Sequence, residues 1–101
     1  MDIHSIFDRK GVMNFEWDAM KARLNQRKHG VSFQEAAEVF GDDYSSCIRD
    51  PDHSQEEDRY LLFGVSSKGH FLVVSYIERV DTIRIISARP MTRQERRAYE
   101  Q

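Results

Sequence analysis

The residues of this chain best suited to chemistry are its arginines. Arg84-Ile-Ile-Ser-Ala-Arg89 runs directly into Pro90-Met-Thr-Arg-Gln-Glu-Arg-Arg-Ala-Tyr99, and five arginines fall between Arg84 and Arg97. A guanidinium presents a planar fork of N–H donors that matches two phosphate oxygens at once. Arg59, Arg79, Arg84 and Arg89 fall on or beside segments that read as β-strands. An unpaired guanidinium is costly to bury, so such arginines need partners. Two readings remain open: ion pairs with nearby Glu57, Glu78 or Asp81, or a cluster that grips a phosphodiester and stabilises the charge of its pentacovalent transition state.

Which of these side chains share a face depends on the Val80-Asp81 turn. A loop of these two residues pairs Arg79 with Thr82 and puts Arg84 on the same face as Arg79, with Ser87 and Arg89 on the other. A loop longer by one residue reverses that relation, because side chains alternate along a strand.

A second group lies near the N-terminus. Lys21, Asn25 and Lys28 have the i, i+4, i+7 spacing of one helical stripe, and His29 adds a group that titrates near neutrality. The stripe could hold phosphates and supply an acid or base. From spacing alone the simpler reading is an exposed face whose cations suit the C-terminal end of a helix dipole. Cleavage of RNA needs little more than these residue types. The neighbouring 2′-OH is the nucleophile, so a base, an acid and cationic stabilisation suffice without a metal.

Other chemistries have less support. His4, His29, His53 and His70 are scattered without metal-ligand spacing, and Asp50-Pro-Asp52 lacks the remainder of a calcium loop. No phosphate-cradling glycine loop or Ser-His-Asp pattern is present. Neither a metal nor a cofactor is expected. Cys47 is the sole cysteine, which excludes an internal disulfide, and it reads as a small buried residue rather than a nucleophile.

The 101 residues suit one domain, with 40% hydrophobic and 32% charged residues. No apolar run approaches membrane-spanning length and no signal-peptide pattern opens the chain, so a cytoplasmic location is expected. The net charge of −2 conceals a partition. Residues 35–58 hold nine acidic residues against Arg49 alone, while residues 79–101 hold six arginines against three acids. These are either two solvated faces or two docking surfaces.

The elements that must position these groups follow from local signals. Residues 1–13 show no clear period and read as an N-terminal extension to a domain over 14–101. Asn14 to Trp17 alternates as a first strand. Asp18 is a helix N-cap, and Gly30 suits the left-handed position past a helix ending near His29. Ser32-Phe-Gln-Glu35 is a capping box, followed by an apolar stripe of Phe33, Ala36, Ala37 and Phe40. Tyr44 to Arg49 is a possible strand and Asp50 to Asp58 a polar loop. Tyr60–Val65, Phe71–Ile77 and Thr82–Ser87 read as strands joined by short turns at Lys68-Gly69 and Val80-Asp81, hence antiparallel. Phe71–Ile77 is apolar on both faces and must be covered on both. Thr92-Arg-Gln-Glu95 is a second capping box opening a terminal helix. The expected class is α+β, β-α-α-β-β-β-β-α, with an antiparallel sheet of three to five strands, a helical hairpin and a C-terminal helix.

Several blocks in this order resemble BrnT-type toxins: Phe15-Glu-Trp-Asp18, Lys21, Asn25, Lys28-His-Gly-Val31, Phe33, Glu35-Ala36, Val39-Phe40, His53-Ser54, Glu57, Arg59-Tyr60, Gly64-Val-Ser66, Val74, Glu78-Arg79, Arg84-Ile-Ile-Ser-Ala-Arg89, Thr92, Glu95-Arg96 and Tyr99. The resemblance spans roughly residues 14–100. It implies a RelE-like fold and an endoribonuclease toxin that arrests translation. The implied partner is a BrnA-like ribbon-helix-helix antitoxin that forms a hetero-oligomer with the toxin and alone carries the contact with operator DNA. The implied site residues are Lys28, His29, Arg59, Arg79, Arg84, Ser87 and Arg89. Of these, Lys28 or His29 would transfer protons, and Arg59, Arg79 and Arg89 would clamp phosphate; Tyr99 would anchor the last helix or contact a base. The acidic net charge departs from what an RNA-cutting protein normally uses for affinity. Two further readings stand beside this one: a non-catalytic module that keeps only an antitoxin-binding surface, and a DNA-binding regulator using the helix of Arg93, Arg96 and Arg97.

Overall fold

Turn chemistry builds the centre of the sheet. In the computed structural model, which describes residues 2–8, 11–53 and 58–101, strands β4 (Arg59–Val65), β5 (Phe71–Glu78) and β6 (Ile83–Pro90) form an antiparallel meander. Glu57, weighed above as an ion-pair partner, and Ser54 lie outside the described residues. Gly69 adopts φ +81° in the first turn, a conformation that favours glycine. In the second, the Arg79 N–H donates to Thr82 O at 2.9 Å, so the loop is Val80-Asp81 alone.

β3 (Ser46–Arg49) pairs antiparallel with β4 at one edge. On the other side, β2 (Gly11–Trp17) lies beside β6, and β1 (Asp2–Asp8) pairs antiparallel with β2. The six strands run β1-β2-β6-β5-β4-β3. The five strands from β2 onward reproduce the expected order, and β1 adds a sixth from the segment read as an extension. Main-chain pairing with β2 needs no side-chain period, which is why the sequence of residues 2–8 does not announce it. The sheet is also not wholly antiparallel: β2 and β6 pair in parallel through Phe15↔Ile83 and Glu16↔Arg84. No turn joins these two strands, so turn-based reasoning cannot reach their orientation.

Helices α1 (Ala19–His29) and α2 (Phe33–Glu38) cover one face. The Asp18 carboxylate accepts from the Lys21 N–H, and Gly30 closes α1 at φ +71°. Ser32 caps α2 by accepting from the Glu35 N–H. The predicted apolar stripe is the packing face: Phe33, Ala36, Ala37 and Phe40 are all buried. They meet Phe15, Trp17, Leu62, Leu72, Val74, Tyr76, Ile85 and Ala88 in one core. Phe40 stands edge-on to both Phe15 and Tyr76. A methyl group at Gly64 would come within 2.7 Å of Val39 Cγ1 and 3.0 Å of Asp42 Oδ2, so glycine there lets the chain after α2 close onto β4.

The second face of β5 is buried as well, as its composition requires, with Val73 and Ile77 inaccessible. Helix α3 (Arg93–Tyr99) packs at one end of this face, opened by a complete capping box between Thr92 and Glu95. Tyr99 meets Phe71 edge-on and donates to Asp42 at 2.5 Å, while the Arg96 guanidinium lies 3.8 Å from the centre of the Phe71 ring.

Candidate phosphodiester site

The two-residue turn by itself would separate the arginines. It sets Arg84 opposite Ile77 and on the face of Arg79, and strict alternation would then turn Ser87 and Arg89 to the helix-covered side. β6 breaks alternation instead. Tyr76 pairs with Ile85 and Ser75 with Ser87, so Ile86 is an extra residue with no counterpart on β5. This β-bulge shifts the parity of all that follows. Ile85 and Ala88 both enter the helical core, and Arg84, Ser87 and Arg89 all project from the opposite face. Arg59 also stands opposite Ile77, from the other side. One cross-strand row therefore reads Arg59, Ile77, Arg84, Glu16, and the next reads Leu61, Ser75, Ser87.

Sharing a face does not make these arginines equivalent. Arg89 is engaged by Glu95 in a bidentate pair at 2.7 and 2.9 Å. The Arg89 fork, opposing the cost of burial and helped by the Thr92 N–H, holds the Glu95 carboxyl down at about 2. Arg79 lies 3.6 Å from Glu16. The partners are thus Glu16 and Glu95, brought by the parallel strand and the terminal helix, rather than the sequence neighbours Glu78 and Asp81. Among the described residues Arg59 and Arg84 make no ion pair, and the Arg59 Nε is buried there without a hydrogen-bond partner. Such an atom is rare in folded proteins.

Lys28 and His29 sit on the other layer, at the C-terminal end of α1. The polar stripe they were to share is divided. Asn25 is buried, its amide donating to Val31 O and Ala88 O at 3.0 and 2.8 Å, and its oxygen accepting from the Ala88 N–H at 3.1 Å. Asn25 thereby replaces a strand neighbour on β6, whose pairing with β2 ends at Arg84. Beside this clamp, Lys21, Lys28, His29, Ile86 and Ser87 line a shallow hollow of about 220 Å³. Ser87 is the residue at which the α1 group and the arginine face adjoin.

Two features differ from the sequence reading. Glu35 does not complete a capping box; its buried carboxylate accepts from Ser66 Oγ at 2.7 Å and meets His70 Nδ1 at 2.5 Å. Burial works to raise its pKa, but these bonds outweigh burial and leave it lowered. Only the pairing of α2 with the β4–β5 turn reveals this contact. Cys47 is exposed rather than buried, because β3 is an edge strand, and its Sγ lies 3.0 Å from Tyr76 OH. The acidic segment is also partly spent on structure: Glu35, Asp42 and Asp50 each hold main-chain or side-chain donors. As for α3, it is only seven residues long, and Arg96 lies on Phe71 rather than outward as a recognition helix would place it. No helix is long and apolar enough to cross a membrane among the described residues.

Fold and site together define a small α+β protein with a helical hairpin on one sheet face and, on the other, an arginine-bearing face met at one end by α3. The family model described as "Ribonuclease toxin, BrnT, of type II toxin-antitoxin system" matches residues 17–95, and the chain belongs to that family. A solved structure, the 1.1 Å crystal structure of the Brucella abortus ribonuclease toxin BrnT, superposes with a TM-score of 0.62 over 78% of this chain and 96% of that one. At 18% identity this likeness concerns the fold. Comparison with curated proteins found no match.

Proposed function

We propose that the protein is an endoribonuclease toxin that cleaves RNA without a metal ion and is neutralised by a BrnA-like ribbon-helix-helix antitoxin. The observation that carries this reading is the bulge at Ile86, which brings Ser87 to the face that bears Arg59 and Arg84. The scissile phosphodiester lies against that face at the edge of β6. Arg59 and Arg84 hold its non-bridging oxygens and stabilise the charge that builds in the pentacovalent state. The 2′-oxygen attacks phosphorus, its proton passing to a base, and the P–O5′ bond breaks as an acid protonates the leaving oxygen. Products are a 2′,3′-cyclic phosphate and a 5′-hydroxyl. Lys28 and His29, across Ser87, are the proton-transfer groups of this reading. Arg79 and Arg89 act through their carboxylate partners to hold the face in shape.

Incubation of folded, antitoxin-free protein with RNA in EDTA tests this. Cleavage with cyclic-phosphate ends is expected, abolished by a 2′-deoxy substitution at the cut site, and Arg59→Ala and Arg84→Ala should each lower the rate about 10²-fold or more. Intact RNA would end the proposal. The engagement of Arg79 and Arg89 by carboxylates favours a second reading, a non-catalytic module that binds only its antitoxin. In that case expression of the folded protein alone leaves growth unaffected.

A further inference from the structure

Resting on the ribonuclease reading, we infer that the cleft between β3, β4 and α3 receives an unstacked nucleobase of the RNA whose phosphate is held on the arginine face. The cleft encloses about 490 Å³ and is lined by Tyr44, Ser46, Ile48, Phe63, Ala98 and Tyr99, among others. Its volume lies within the range of small-molecule sites.

Register places it on the arginine side of the sheet. Ile48 pairs with Leu61, which stands opposite Ser75, and Ser75 stands opposite Ser87. Ser46, Phe63, Val73 and Arg89 form the adjacent row. The cleft therefore opens on the same face of the sheet as Arg59, Arg84 and Ser87. A single-stranded RNA held there by phosphate contacts must direct its bases somewhere, and the aromatic cleft is an apolar surface on that same face.

The chemistry of the walls suits a base. Tyr44 is 86% exposed and Ile48 46% exposed, an apolar patch without a packing role in the fold. The opposite wall is rigid: Tyr99 is fixed by its hydrogen bond to Asp42 and its edge contact with Phe71. Aromatic faces stack on any base, and the Ser46 hydroxyl supplies a donor and acceptor at the cleft for the edge of the ring.

The test uses short 2′-O-methyl oligonucleotides, which cannot be cut, with each nucleotide in turn made abasic. For the wild-type protein, one abasic position should weaken binding about ten-fold or more. Tyr44→Ala should cause a similar loss and abolish the penalty at that position. Tyr44→Phe should retain both. Ala98→Phe, which fills the cleft from the exposed side of α3, should act like Tyr44→Ala. An abasic penalty that persists in Tyr44→Ala, or unchanged RNA affinity accompanied by weaker antitoxin binding, would overturn the inference and leave the ribonuclease reading standing. Base-dependent binding without cleavage of natural RNA would sink the ribonuclease reading and keep the cleft. Absence of any binding by the wild-type protein would overturn both.

Discussion

The arginines of this face differ in whether a carboxylate already occupies a donor edge of the guanidinium. Arg89 gives its Nη1 and Nη2 donors to Glu95 and thereby fastens α3 to β6. Arg84 sits three residues beyond the β-turn with no carboxylate partner among the described residues and is available to a ligand. The Glu95 pair has a pH signature. Its carboxyl titrates at about 2 in the folded protein against an ordinary 4.5. A depressed folded pKa contributes stability above the unfolded value, and that stability is lost as pH falls toward the folded one. The melting temperature should therefore decline between pH 4.5 and about 2. In Glu95→Gln the decline over that window should be shallower, as thermal melts across a pH series would show. An identical decline in the variant would mean that the pair is not coupled to folding.

At the scale of elements, the molecule depends on how β6 is treated along its length. Its centre carries the bulge, and along the edge away from β5 its first residues pair with β2 while its end meets α1 instead of a strand. Asn25 resolves the last problem by satisfying the N–H and C=O of Ala88, a residue 63 positions away. Asn25→Ala would leave both groups, and Val31 O, buried without partners. At about 1–3 kcal/mol for each unsatisfied group, partly relieved by relaxation, a loss of about 3 kcal/mol is expected in chemical denaturation. A loss under about 1 kcal/mol would show that water replaces the amide and that α1 is held by other contacts. On the proposed reading Lys28 and His29 act from the same helix end, so activity should fall with stability in this variant.

At the scale of the whole molecule, the ribonuclease reading requires that a chain with a net charge of −2 address a polyanion. Charge is used by location rather than in total. Glu35, Asp42 and Asp50 face inward onto hydrogen-bond donors, whereas Arg59 and Arg84 stand on one face. Few phosphates are then contacted, so the salt dependence of RNA binding should be shallow. With about two or three phosphate contacts on a single strand, the slope of log K against log salt should be about −1.5 to −2. Filter binding over a salt series measures it. A slope of about −5 or steeper would require a wider basic surface than this face offers, with the exposed arginines of α3 as the next candidates.

Local chemistry accounts for the features legible in the order of residues. Asp18, Ser32 and Thr92 as caps, Gly30 as a left-handed stop, the Phe33-Ala36-Ala37-Phe40 stripe and the β4–β5–β6 meander each depend on residues within a few positions of one another. The α+β class and the family blocks rest on the same signals. Tertiary structure alone decided the rest. A single extra residue at Ile86 reverses the face of Ser87 and Arg89, and no composition marks it. The parallel pairing of β2 with β6, the clamp of Asn25 on Ala88, the diversion of Glu35 to His70 and the exposure of Cys47 on an edge strand all join segments far apart in the chain. Their energies belong to the assembled sheet, where one register shift turns a side chain from the core to solvent.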